Sequence, residues 1–159
     1  MIINSIVTSI ETSNKLKSAG YLKSGIFSYF IDKNKDIYLS ETDFSKDEHI
    51  AFAYTSSELI ESLPSNLAIN TKTFVASSTT YINITETEIE KYLWADLEMM
   101  KHTHNDDTSL YITKYSIGGK VIAFNRNLKG EFKNLIRFGE NEAESRAEMI
   151  LALIEEQKI

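Results

Sequence analysis

Residues 110–124 read LYITKYSIGGKVIAF. Two β-branched and aromatic runs, Leu110 to Ile117 and Lys120 to Phe124, flank Gly118-Gly119. Adjacent glycines take the positive φ angles that a tight type I′ turn demands, so this spacing predicts a β-hairpin. A hairpin joins antiparallel strands, and the neighbouring segments are read around it.

On the C-terminal side, Phe132 to Phe138 reads as a further strand, with a short helix as the competing reading. Asn141 with Glu144 can cap a closing helix. Its Ala143, Ala147, Ile150, Leu151 and Ile154 recur at i, i+4, i+7, i+8 and i+11, and Met149 and Leu153 widen that face. So broad an apolar face predicts packing across a sheet.

On the N-terminal side, Lys101 to Ser109 is polar and reads as a loop. Before it, Ile89, Tyr92, Leu93, Leu97 and Met100 fall on one face at helical spacing, which predicts an acidic helix from Glu86 to Lys101. Strands are expected at Leu67 to Ala76 and Thr80 to Ile84, with a bend at Ser77, Ser78 and Thr79. Thr55 and Glu58 form a capping box that opens a short helix, and Pro64 lies just beyond its end. His49 to Ala53 suits a short strand. Ile26 to Ile31 and Ile37 to Ser40 suit a hairpin around Asp32-Lys33-Asn34-Lys35-Asp36. A first helix from Ser9 to Ala19 is expected, with Thr8 and Glu11 as its capping box and Gly20 as its left-handed stop.

The fold predicted is one α+β domain over residues 1–159: an antiparallel sheet built from hairpins, packed on one face by about four helices. The chain holds one proline and six glycines, so no Pro/Gly linker divides it. Apolar residues make up 42%, with eight Phe and eight Tyr, enough for a core and against disorder. There is no cysteine, which favours a reducing compartment. The start, Met1-Ile2-Ile3-Asn4-Ser5, lacks the pattern of a signal peptide, and no apolar run has spanning length, so no membrane partner is expected. The net charge of −6 argues against nucleic acid as partner, since phosphate binding rests on Lys and Arg.

Candidate chemistry begins at His102-Thr103-His104-Asn105-Asp106-Asp107. It is similar to the HxHxDH signature of metallo-β-lactamase-fold hydrolases, and His102, His104 and Asp106 could ligate a metal. It departs from that signature where Asp107 replaces the final histidine, and it follows a predicted helix instead of a strand. The plainer reading is a polar loop after a helix C-terminus. Asp96 falls within the predicted apolar arc, as a tuned acid or a structural carboxylate. Trp94 falls outside that arc, and with Glu90 and Glu98 it marks a candidate protein interface. Lys114, Lys120, Arg126, Lys129, Lys133 and Arg137, interleaved with Tyr115, Phe124, Phe132 and Phe138, suit either a nucleic-acid surface or a solvated strand face. Neither a phosphate loop nor a nucleophile elbow occurs, and no cofactor is expected.

Three segments resemble a loose group of small bacteriophage- and prophage-encoded proteins that has no assigned activity. They are Ser9 to Tyr21, ending Asn14-Lys15-Leu16-Lys17-Ser18-Ala19-Gly20; Ala51 to Pro64; and Glu144 to Ile154. The second is similar to that group's "aPTlxELlexLP", with Ser56 in a hydrophobic position and no proline before Thr55. The third is similar to its closing "ladAlAemllwL" helix. The stretch from Thr85 to Asn127 lies outside the resemblance, and its acidic helix reads as an insertion. The resemblance implies a phage or prophage setting, and with it the cytoplasm of a bacterial host. It supplies no catalytic residue.

The first expectation for function is therefore a non-enzymatic accessory protein that binds another protein, possible host proteins included. The alternatives are a small metal-dependent hydrolase or nuclease using the 102–107 loop, and a nucleic-acid binder using the basic 114–137 region.

Overall fold

The computed structural model describes residues 5–78, 84–103, 109–116 and 136–159, with backbone alone for 68–78, 84–94 and 116. The chain is α+β, and all strand pairings among the described residues are antiparallel. The strands among the described residues form two sheets instead of the one expected. The first has the order β2-β1-β3, from β1 (Phe27–Ile31), β2 (Ile37–Glu41) and β3 (Glu48–Ala53). The second is a meander, β4-β5-β6-β7, from β4 (Asn66–Ser78), β5 (Ile84–Thr103), β6 (Ser109–Ser116) and β7 (Ile136–Gly139). Among the described residues there are three α-helices, not about four: α1 (Ile10–Ser18), α2 (Ser56–Ile60) and α3 (Glu142–Glu155).

The missing helix is β5. Residues four apart share a face on a helix and also on a strand, so Ile89, Leu93 and Leu97 satisfy both periods. Tyr92 and Met100 sit three from members of that set, a spacing that shares a face only on a helix. Thr85, Thr87 and Ile89 alternate with Glu86, Glu88 and Glu90, and this period of two prevails. Every residue from Asn66 to Ser78 has a partner in β5, and Asp96 to Thr103 pair onward with β6. Burial follows the same period: Ala95 is buried, Asp96 exposed, Leu97 half-buried and Glu98 exposed.

The local signals at the helix ends hold, with one shift. Thr55 and Glu58 form a reciprocal capping box on α2. Asn141 Oδ1 accepts from the Glu144 amide at the start of α3. Gly20 has φ +85° after α1, the left-handed stop. The cap of α1 is Ser9, whose Oγ accepts from the Thr12 amide, and not Thr8. Thr8 is fully buried and is spent on β3's end instead: its amide donates to Tyr54 O at 2.9 Å, and its Oγ1 accepts from Tyr54 N at 3.0 Å. Glu11 pairs with Lys15, one helical turn on.

The core gathers Leu16 of α1, Leu59 of α2, Tyr115 of β6 and Ala143, Ala147, Met149, Ile150 and Leu153 of α3. Thr113 Oγ1 and Ser145 Oγ, both buried, bond at 2.9 Å and fix β6 against α3. Odd-numbered positions of β6 therefore face the helix, and the even ones face away. Gly139 ends β7 in close contact with α3: an added Cβ would lie 2.3 Å from the Ser145 amide nitrogen. The hairpin turn at Gly118-Gly119, its second strand, the bulk of the Thr80 to Ile84 strand and most of the Phe132 to Phe138 segment lie outside the described residues.

Candidate functional site

The broadest candidate surface follows from the register of β5, β6 and β7. Met100 is paired with Ile112, and Ile112 with Phe138. Directly opposed residues share a face, and this one is opposite to that of Thr113, which holds α3. A row of three apolar side chains thus crosses three strands on the face away from the helix. Met100 is 51% exposed and Phe138 53% exposed, while Ile112 between them is half-buried. One register step along, Glu98 pairs with Lys114, and Lys114 with Ile136. Lys114 Nζ lies 2.9 Å from Glu98 Oε2, a partly exposed ion pair at the row's side. Such a pair adds little stability, but it fixes two charges beside the apolar row.

The expected interface residues converge on this strand. Glu90, Trp94 and Glu98 are four apart, so they keep a common parity on β5, the parity of Met100. These three positions lie on a strand and not on the side of an acidic helix. Asp96 is exposed on the same strand, so its expected place within a buried apolar arc is overturned by the period of two. His102 lies exposed near the end of β5, in a strand where a loop was expected. His104 and Asp106 fall outside the described residues, as do Lys120, Arg126, Lys129 and Lys133. Among the described residues, no group of three or more His, Cys, Asp or Glu is placed to hold a metal ion. Arg137 donates from Nη1 to the carbonyl of its neighbour Ile136.

A second concavity, of about 630 Å³, lies where the N-termini of α1 and α3 meet β7. Its chemistry is that of capping. The Glu144 carboxylate accepts from the Ser9 amide and from Thr12 Oγ1, at 2.6 Å for the hydroxyl. One α3 side chain therefore satisfies donors in the first turn of α1, where negative charge also suits the helix dipole. Lys15 bridges Glu11 at 3.3 Å and Glu148 at 3.7 Å. Both oxygens of Glu144 are thus committed to structure. Sequence reading missed this junction because Glu144 had been assigned only to its own helix.

Among the groups with displaced titrations, two buried phenols and one imidazole bear on the site. Burial pushes Tyr54 and Tyr115 up to about 12 each. Their hydroxyls donate to Lys23 O and Pro64 O, both at 2.6 Å, so each proton ties separate chain segments together. Partial desolvation first, and then the charge of Lys17, hold the solvent-exposed His49 below its ordinary value. It rests on Phe30 and Phe52, with Nε2 3.2 Å from Ser28 Oγ. The buried Ser28 hydroxyl also bonds Thr42 Oγ1 at 2.7 Å, so it ties strand to turn beside the rings. No helix among the described residues is long and apolar enough to cross a membrane.

No family model, no curated protein and no solved structure matches the chain.

Proposed function

We propose that this chain is a non-enzymatic binding protein whose open β5–β7 face docks on another protein. The observation that carries the reading is the row Met100, Ile112, Phe138: large apolar groups left half in solvent at opposed register positions. Exposed apolar groups grouped on one surface mark interaction sites more often than scattered ones do. The aromatic and the methionine are also residue types enriched at such surfaces. The Glu98–Lys114 pair supplies a polar border on one side. The three segments that resemble phage and prophage proteins support an accessory role in that setting, with a cytoplasmic protein of the bacterial host as partner.

The test is capture from bacterial lysate by the wild-type chain and by Phe138→Asp. Phe138 lies outside the core cluster, so its replacement leaves the fold intact, as circular dichroism will check. Loss of a central apolar anchor reduces affinity by about tenfold or more. A captured protein whose recovery survives Phe138→Asp and Met100→Asp unchanged defeats the proposal.

A further inference from the structure

The first sheet has one closed edge and one open edge. On the β3 side, α1 packs alongside and Lys17 Nζ donates to Ile50 O at 2.6 Å. On the other side, β2 pairs with β1 alone among the described residues. The ladder between them is bracketed by Asp32 N donating to Asp36 O and Thr42 N donating to Ile26 O. Antiparallel bonding alternates, so the backbone groups of Ile37, Leu39 and Glu41 point away from β1. Open edges are commonly guarded by Lys, Pro or a bulge. The β2 sequence, IYLSE, carries neither Lys nor Pro.

At the C-terminal end of β2 the chain passes through a 3-10 turn, Thr42–Phe44, into a cleft of about 450 Å³. Ile26, Phe44 and Phe52 give it an apolar lining. Phe44 is 79% exposed and Ile26 58%, and Ile37 at the other end of the strand is 54% exposed. The charged residues in the lining are Glu41, Asp43 and Glu58, and all three are acidic. Glu58 is fixed there: its Oε1 accepts from Ile26 N and its Oε2 from Thr55 N, each at 2.8 Å.

We propose that the β2 edge and this cleft take an extended segment of a partner protein, one that carries a lysine or arginine next to an apolar residue. Main-chain bonds to Ile37, Leu39 and Glu41 supply strand addition, and alternate side chains supply the choice of partner. The apolar residue meets Phe44 and Ile26, and the cation meets the three carboxylates. A second copy of this chain, at net charge −6, has the wrong sign for such a cleft. The surface is separate from β5–β7 and does not depend on the function proposed above.

The experiment is a titration of the ¹⁵N-labelled full chain with two blocked peptides, one of alternating valine and lysine, the other of alternating valine and glutamate. The lysine peptide is expected to shift the amides of Ile37, Leu39, Glu41, Asp43 and Phe44 and to bind about tenfold tighter than the glutamate peptide, an advantage that added salt erodes. Phe44→Ser and Asp43→Lys, both at exposed positions, are expected to weaken it while leaving the thermal midpoint in place. The proposal is overturned by equal binding of the two peptides, by no binding, or by shifts confined to β5–β7. It is also overturned if dilution of the protein alone moves the same amides, because a second copy would then be the occupant.

Discussion

α3 and β5 are the two elements that organise this molecule, and they satisfy their backbones in opposite ways. α3 has 14 residues, closes its own hydrogen bonds and caps itself with Asn141. Seven of its residues are buried: Ala143, Ser145, Ala147, Met149, Ile150, Ala152 and Leu153. β5 has 20 residues and depends on β4 and β6 for its ladder bonds. Between Ala95 and Thr103 only Ala95 is fully buried. Stability is thus concentrated on the helix, and the strand is left with a face to offer. Residues on α3 are chosen by packing, whereas Met100, Ile112 and Phe138 are not consumed by it.

That contrast breaks most visibly under truncation. Ile150→Ala is expected to cost about 2–5 kcal/mol, because the α3 core cannot collapse around the lost groups. Met100→Ala on the open face is expected to stay within about 0.5 kcal/mol. Urea midpoints for the pair measure the gap, and equal losses would erase the distinction. Gly139→Ala attacks the join between the two regions. Its Cβ would lie 2.3 Å from Ser145 N and 2.7 Å from Glu144 Cβ, so backbone must move. An overpacked contact of this kind costs about 1–3 kcal/mol, read from the same midpoints.

Glu144→Ala sharpens the comparison from the helix side. It removes the charged acceptor of the Ser9 amide and Thr12 Oγ1, and because water reaches the exposed Ser9 the loss is expected at about 1 kcal/mol. Glu144→Gln keeps one acceptor oxygen and should fall between alanine and wild type. The smallest effect is alkaline. Tyr54 and Tyr115, both in the core around α3, have folded pKa values raised from 10.0 to about 12. Their stabilisation is complete below pH 10, where both states keep the proton, and it is lost as the unfolded chain ionises first on the way to about 12. Tyr54→Phe and Tyr115→Phe should each flatten part of that decline in urea midpoints taken across the window.

The same division explains what the sequence disclosed. Caps and turns are short-range chemistry, so Thr55 with Glu58, Asn141 with Glu144 and Gly20 were legible. The Asp32–Asp36 turn was too, closed by Asp32 Oδ1 accepting from Asn34 N and Asp36 N. β5 was misread because its four-residue spacing fits two periods, and the choice between them rests on partners in β4 and β6. The candidate face was invisible for the same reason. Met100 had been placed on the buried side of a helix, and Phe138 among the aromatics of a basic run. Only cross-strand register brings them into one row with Ile112.

Site-specific photocrosslinking in bacterial cells tests that row most directly. A benzophenone side chain would replace Met100 or Phe138 on the open face, or Glu155 at the exposed end of α3 as the control. A binding surface at β5–β7 gives a shared, discrete adduct from positions 100 and 138 and none from 155. Adducts of equal yield from all three positions, or from 155 alone, would contradict it.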